Sequence, residues 1–147
     1  MVAVRRIITV ERPADAVAAY LADFARTEEW DPGTVSCTRT DDGPVGVGAR
    51  WHNVSRFRGR TTELSYRLVR HDPGRLVFVG ENRTVTATDD ITVTATGPGA
   101  VVDYRATLEF KGLARLAAPF LRAEFERLAD GVAERLPEVL AARSPRG

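Results

Sequence analysis

Two histidines, one cysteine and four neutral polar residues set among apolar ones are the places where this 147-residue chain could do chemistry. His52 and His71 stand apart, with no HxxxH or CxxC spacing, so no metal site is expected. Spacing alone does not forbid a Ser-His-Asp arrangement, but there is no Gly-x-Ser-x-Gly elbow, and alternation turns His52 away from the apolar side of its strand. Gly46-Val47-Gly48 leads into a strand and does not open a helix, so it is no phosphate cradle, and no cofactor is expected. Cys37 has no partner for an intramolecular disulfide and reads as a small buried strand residue. The remaining set is Asn53, Ser55, Tyr66 and Tyr104, each on an apolar row. A buried polar group needs a hydrogen-bond partner, and here the partners could be each other, a trapped water or a ligand.

The elements that would position this set follow from hydrophobic periodicity. Leu121, Phe125, Leu128, Val132, Leu136 and Val139 recur at spacings of three and four, which predicts a helix over Pro119 to Ala142 with one narrow apolar stripe. Arg122, Glu126, Asp130 and Glu134 lie opposite. Glu124 and Arg135, at the edge of the stripe, read as rim charges that reach water. Almost everything earlier reads as strand. Val2 to Val10 is the first. Pro13-Ala14-Asp15 then opens a short helix with Val17, Tyr20, Leu21 and Phe24 on its buried side, and Asp23 caps a second one ending at Trp30-Asp31-Pro32-Gly33. Further strands are expected over Val35 to Thr40, Ala49 to Arg58, Thr61 to Arg70, Arg75 to Glu81, Val85 to Thr96 (with a break near Asp89-Asp90) and Ala100 to Phe110. Arg58-Gly59-Arg60 and His71-Asp72-Pro73-Gly74 supply turns. Arg143 to Gly147 reads as a flexible tail to a single domain over residues 1–142.

Period-two alternation sorts the strands into two faces. One carries Trp51, Asn53, Ser55, Phe57, Leu64, Tyr66, Leu68, Val102 and Tyr104. The other carries both signs of charge and is most simply a solvated convex surface with cross-strand ion pairs. No buried carboxylate is evident on the apolar face. The composition agrees with a single soluble domain: net charge is +1, which gives no electrostatic reason to expect nucleic acid, and no apolar run is long enough to insert in a membrane. With no signal peptide in view, a cytoplasmic protein is expected, as monomer or homodimer.

The element order and several local patterns resemble the polyketide cyclase/dehydrase group of the START-like (SRPBCC) superfamily. The patterns are Pro13-Ala14-Asp15-Ala16-Val17, Asp23 to Trp30-Asp31-Pro32, Gly43 to Gly48, Asp72-Pro73-Gly74-Arg75-Leu76, and Gly112 to Pro119. The resemblance covers nearly the whole chain. It implies an α+β helix-grip fold: a seven-stranded antiparallel sheet wrapped around the C-terminal helix, with a cavity between them. It also implies a hydrophobic small molecule as partner, with no catalytic residue to carry over, since the family has no single catalytic constellation. Two functions are then expected. The first is binding or carriage of a hydrophobic, ring-containing molecule such as a lipid or polyketide, with Trp51, Asn53, Ser55, Tyr66, Phe78, Tyr104, Leu121, Phe125 and Leu128 around it. The alternative is a polyketide cyclase, aromatase or dehydrase in the same cavity, with Tyr66 and Tyr104 as acid or base and Asn53 on a carbonyl oxygen.

Overall fold

The computed structural model describes residues 1–143. Its strands are β1 (Val2–Val10), β2 (Thr34–Arg39), β3 (Arg50–Phe57), β4 (Arg60–Asp72), β5 (Arg75–Glu81), β6 (Val85–Thr96) and β7 (Gly99–Phe110). The helices are α1 (Ala14–Ala22), α2 (Thr27–Trp30) and α3 (Ala118–Ala142), with single 3-10 segments at Phe24–Arg26 and Gly112–Ala117. All strand pairings are antiparallel, in the order β1-β7-β6-β5-β4-β3-β2. β1 and β2 are therefore the two edges, and α1 and α2 carry the chain from one to the other. This is the helix-grip arrangement, with α3 lying along the inner face of the sheet.

Local chemistry explains the joints. Arg58 and Gly59 both have positive φ, as a two-residue hairpin requires to match strand twist. The Asp23 carboxylate accepts from the Ala25 N–H and starts the 3-10 segment. Glu28 of α2 accepts from the backbone N–H of Cys37 at 2.7 Å, which ties the short helix to edge strand β2. Pro119 stands at the start of α3, where a missing N–H costs nothing, and α3 continues through Pro137.

The two sheet faces differ as alternation predicts. Ion pairs lie on the outer face, among them Arg5–Asp103 at 2.8 Å and Arg75–Asp90 at 2.7 Å, and His52 Nε2 is in hydrogen-bond contact with Glu63 at 2.8 Å. The inner face supplies the core, with Leu68, Phe78, Ile91 and Val102 almost wholly buried. On the inner row of β1 one charged residue interrupts the apolar ones. Arg6 crosses to α3, where its guanidinium meets Asp130 Oδ1 at 2.8 Å and the Glu126 carbonyl at 3.1 Å.

Several expectations are corrected. β6 runs unbroken through Asp89-Asp90. His71 lies within β4, opposite Leu76, so the turn is Pro73-Gly74. Arg143, assigned to a flexible tail, lies against the Tyr20 ring, its guanidinium carbon 4.7 Å from the ring centroid, and its carbonyl accepts from Arg12 at 2.7 Å. The rest of that expected tail lies outside the described residues.

Candidate functional site

A cavity of about 570 Å³ separates the inner face of the sheet from the first half of α3. Its mouth lies between the β3–β4 hairpin, the end of β7 and the start of α3. There the Phe57 and Phe125 ring centroids are 6.4 Å apart, and Arg58 donates to the Phe120 carbonyl at 3.1 Å. Leu121, Phe125, Leu128, Ala129 and Val132 of α3 form one wall. Strands β3, β4, β6 and β7 form the opposite one. The second half of α3 differs: Leu136 and Leu140 are buried in ordinary core.

Six of the nine residues predicted to surround a ligand line this cavity: Ser55, Tyr66, Tyr104, Leu121, Phe125 and Leu128. Trp51, Asn53 and Phe78 do not. The cause is Phe24, in the 3-10 segment after α1. Its ring sits 4.4 Å from that of Phe78, 4.5 Å from that of Tyr66 and 6.0 Å from that of Trp51, measured between centroids. This aromatic cluster fills one end of the sheet's concave face and leaves the other end open. Asn53 is buried beside Cys37, its register partner on β2, and its Oδ1 accepts from Ser55 Oγ at 2.6 Å. Glu124 pairs with Arg127 at 3.2 Å, and neither it nor Arg135 lines the cavity.

The cavity also holds two carboxylates, contrary to expectation. Asp89 lies on the inner row of β6, between Ala87 and Ile91, and is 7% exposed. The Tyr104 hydroxyl donates to its Oδ2 at 3.3 Å. Asp31 enters from the loop after α2, its Oδ1 accepting from the Gly33 N–H at 2.9 Å and its Oδ2 from the Thr34 hydroxyl at 3.0 Å. Among the described residues neither carboxylate forms an ion pair. Burial, reinforced by the negative charge of Asp31, pushes the Asp89 carboxyl up to about 7, against the opposing pull of the Tyr104 hydrogen bond. Burial likewise raises Asp31, while Gly33, Thr34 and the distant positive charge of Arg135 oppose it. Tyr66 and Tyr104 are driven well above the ordinary phenol range, first by burial and then by Asp89. They therefore act only as neutral hydrogen-bond donors or acceptors at any physiological pH.

Two glycines place these groups. Gly80 faces Tyr66 across β4 and β5, and a Cβ atom there would lie 2.5–2.6 Å from three atoms of the tyrosine ring. The ring therefore lies flat across β5, with its hydroxyl end directed toward β6. A Cβ atom at Gly131 of α3 would lie 2.6 Å from Pro32 Cγ, so the absence of a side chain lets the Asp31-Pro32 loop tuck beneath the helix.

Residues 1–141 match the family described as polyketide cyclase / dehydrase and lipid transport. The chain belongs to that family. The family's breadth, spanning enzymes and carriers, suits a cavity that is mainly apolar but holds convergent polar groups. A START superfamily protein from Mycobacterium smegmatis superposes with a TM-score of 0.78 at 11% identity, over 95% of this chain and 97% of that one. The Zhui aromatase/cyclase of a Streptomyces strain gives 0.80 at 15% identity, over 96% and 94%. The di-domain aromatase/cyclase BexL gives 0.71 at 16% identity, over 97% of this chain and 50% of that one. At these identities the likeness establishes the fold of this family member and not its ligand. No curated protein matches the sequence.

Proposed function

We propose that the protein binds a hydrophobic, ring-containing small molecule, of the lipid or polyketide kind, between the sheet and α3. The observation that carries this reading is the cavity itself. Its volume of about 570 Å³ lies within the ~300–1,000 Å³ of small-molecule sites, and its walls are mostly apolar, with Asp31, Tyr66, Asp89 and Tyr104 among the lining residues and Arg56, Arg58 and Arg60 of the β3–β4 hairpin at the mouth. Ser55, Tyr66, Tyr104, Leu121, Phe125 and Leu128 are the proposed contacts. Leu113, Leu116 and Phe120, each at least 73% exposed, stand next in sequence to the mouth residues Phe110 and Leu121 and form an apolar approach for such a ligand. No helix among the described residues is long and apolar enough to cross a membrane. The same reading has the protein acting in the cytoplasm as a monomer or homodimer.

The test is a screen of flat aromatic, steroidal and fatty ligands by thermal shift and native mass spectrometry. Ligands should raise the melting temperature of the wild-type protein. Leu121→Arg, at a half-buried mouth position, should abolish the rise while leaving the fold intact. Ligands that bind this variant with unchanged affinity would place the site elsewhere.

A second reading, as a polyketide cyclase, aromatase or dehydrase, is favoured by one observation: a buried carboxyl titrating near neutrality beside a phenol, inside the same cavity. Catalysis by proton transfer needs a group of that kind.

A further inference from the structure

Asp89 is a costly residue to place on an inner sheet row. Its neighbours on that row are Val85, Ala87, Ile91 and Val93, all buried. A carboxyl group in such surroundings is destabilising unless it is paired or well hydrogen-bonded. Among the described residues Asp89 has no cation, and its side chain accepts one long hydrogen bond, from Tyr104. Tyr104 is held in turn by Trp30, whose ring meets it edge-on at 5.9 Å. Nothing in the packing compensates for the carboxyl, and its surroundings open into the cavity.

Tyr66 shows the same pattern. It is 8% exposed, it lines the cavity, and among the described residues its hydroxyl makes no hydrogen bond. A phenol buried to that extent, with its hydroxyl turned toward a void, is an oxygen-binding donor awaiting an acceptor. Gly80 leaves the room that the ring occupies there. The void thus has a proton acceptor on β6 and a free proton donor reaching over β5 toward it, with apolar surface around both.

Resting on the binding reading above, we propose that Asp89 is a catalytic base that moves a proton at a carbon adjacent to a ketone carbonyl of a flat, apolar ligand, with the Tyr66 hydroxyl donating a hydrogen bond to the carbonyl oxygen and keeping its proton. In the forward step an Asp89 carboxylate oxygen takes the proton from the carbon. The electron pair of the broken C–H bond forms a C=C bond, and the carbonyl π pair moves onto oxygen as an enolate, held by the Tyr66 O–H. Asp89 then returns its proton, either to the same carbon or to the far carbon of a conjugated system. The net change is exchange of an α-hydrogen or a shift of a double bond, and no oxidant, reductant or second substrate is needed. The enolate charge develops in a dry site, where a single hydrogen bond stabilises it far more than it would in water. Tyr104 is a positioning residue that fixes the Asp89 carboxyl.

The electrostatics suit a base that must both take and return a proton at neutral pH. The charged and titratable groups around Asp89 are Tyr104 from β7, Asp31 from the loop after α2, and Tyr66 from β4. The α3 residues that line the same cavity are apolar, Leu121, Phe125, Leu128, Ala129 and Val132, and Arg135 of that helix acts on Asp31. Burial and Asp31 bring Asp89 to about 7, so both of its protonation states are populated.

The test uses the full chain and 2-tetralone, a flat bicyclic ketone with acidic α-hydrogens, in deuterated buffer. Binding is read by thermal shift, and α-hydrogen exchange by proton NMR. The wild-type protein should exchange the α-hydrogens at least ~100-fold faster than buffer containing an equal concentration of acetate. The rate should rise with pH and level off above about 7. Asp89→Asn should bind 2-tetralone and lose the enhancement. Tyr66→Phe should bind it with the rate lowered roughly 100–1,000-fold, the loss expected for one oxyanion donor in a dry site. Asp90→Asn, on the outer face beside Arg75, should leave the rate unchanged. Binding with no exchange above buffer, or full exchange in Asp89→Asn, would overturn the catalytic assignment and leave the binding reading standing. Neither binding nor exchange would overturn both.

Discussion

The ring of Tyr66 lies on the backbone of Gly80, so closely that a methyl group on the glycine would stand 2.5 Å from the ring. The two residues are register partners on β4 and β5. The missing side chain leaves room for the tyrosine to lie across β5, where its ring also packs against Phe24 at 4.5 Å between centroids and it lines the cavity together with Asp89. The aromatic plug and the polar end of the cavity therefore share a residue.

Gly80→Ala forces the ring away. The expected cost is about 1–3 kcal/mol, as for overpacking in a close-packed interior. In a Tyr66→Ala background the same substitution should cost less than ~0.5 kcal/mol, because the obstacle is gone. Denaturant melts of the four proteins measure this coupling, and equal costs in both backgrounds would show that the ring does not rest on Gly80.

Stability should fall between about pH 4 and pH 7. Unfolded, Asp89 loses its proton near pH ~4; folded, it holds it to about 7. Between those values the folded chain binds more protons than the unfolded one, so unfolding becomes easier as pH rises. The shift amounts to roughly 4 kcal/mol at most, and Asp31, raised in the same sense, adds to it. Asp41 and Asp103 act oppositely. Their carboxyls are lowered by Arg39 and Arg5, and what they contribute is lost as pH falls below about 4. Asp89→Asn should flatten the decline in melts recorded from pH 4 to pH 8, and an unchanged slope would mean Asp89 ionises normally.

Leu136→Ala and Leu121→Ala should separate stability from binding. Leu136 is 1% exposed in packed core, so its truncation should cost ~2–5 kcal/mol and leave ligand affinity nearly intact. Leu121 is half-buried at the mouth of a void, so its truncation should cost under ~1 kcal/mol and weaken ligand binding. Chemical denaturation and ligand titration of both variants check the contrast.

Cys37 should be inert in the native protein. Burial pushes its thiol up to about 11, leaving almost no thiolate at pH 8. A thiol reagent should label it only through unfolding, at least ~1,000-fold more slowly than in denaturant. Rapid native labelling would contradict its burial.

Much of the fold was legible in the sequence because the strands alternate strictly. Arg75–Glu81 and Val85–Thr96 have the bounds that their patterns predict. The polar end of the cavity was legible only in part. The alternation that turns Ile91 and Val93 inward also turns Asp89 inward, but two adjacent aspartates suggested a break in the strand. Asp31 resembled a helix stop, and its inward turn depends on Gly131 clearing room for Pro32, a contact across some hundred residues. Alternation puts Trp51 on the inner face, yet in the structure it and Phe78 pack against Phe24 and do not line the cavity. Period two gives the side of a sheet but not which segment covers it, and here Phe24 does.

The strand order has a temporal consequence. β1 pairs only with β7, with Val2 opposite Leu108, whereas β3 to β6 each join the next strand through a short hairpin. Within this domain β1 is made before β7 and thus waits for it before its ladder can close. Until then Val2, Val4, Ile8 and Val10 form an unsatisfied edge, so β1 docking is a late, high-contact-order event. Nascent chains halted before Phe110 should be the species most prone to aggregate and to recruit chaperones.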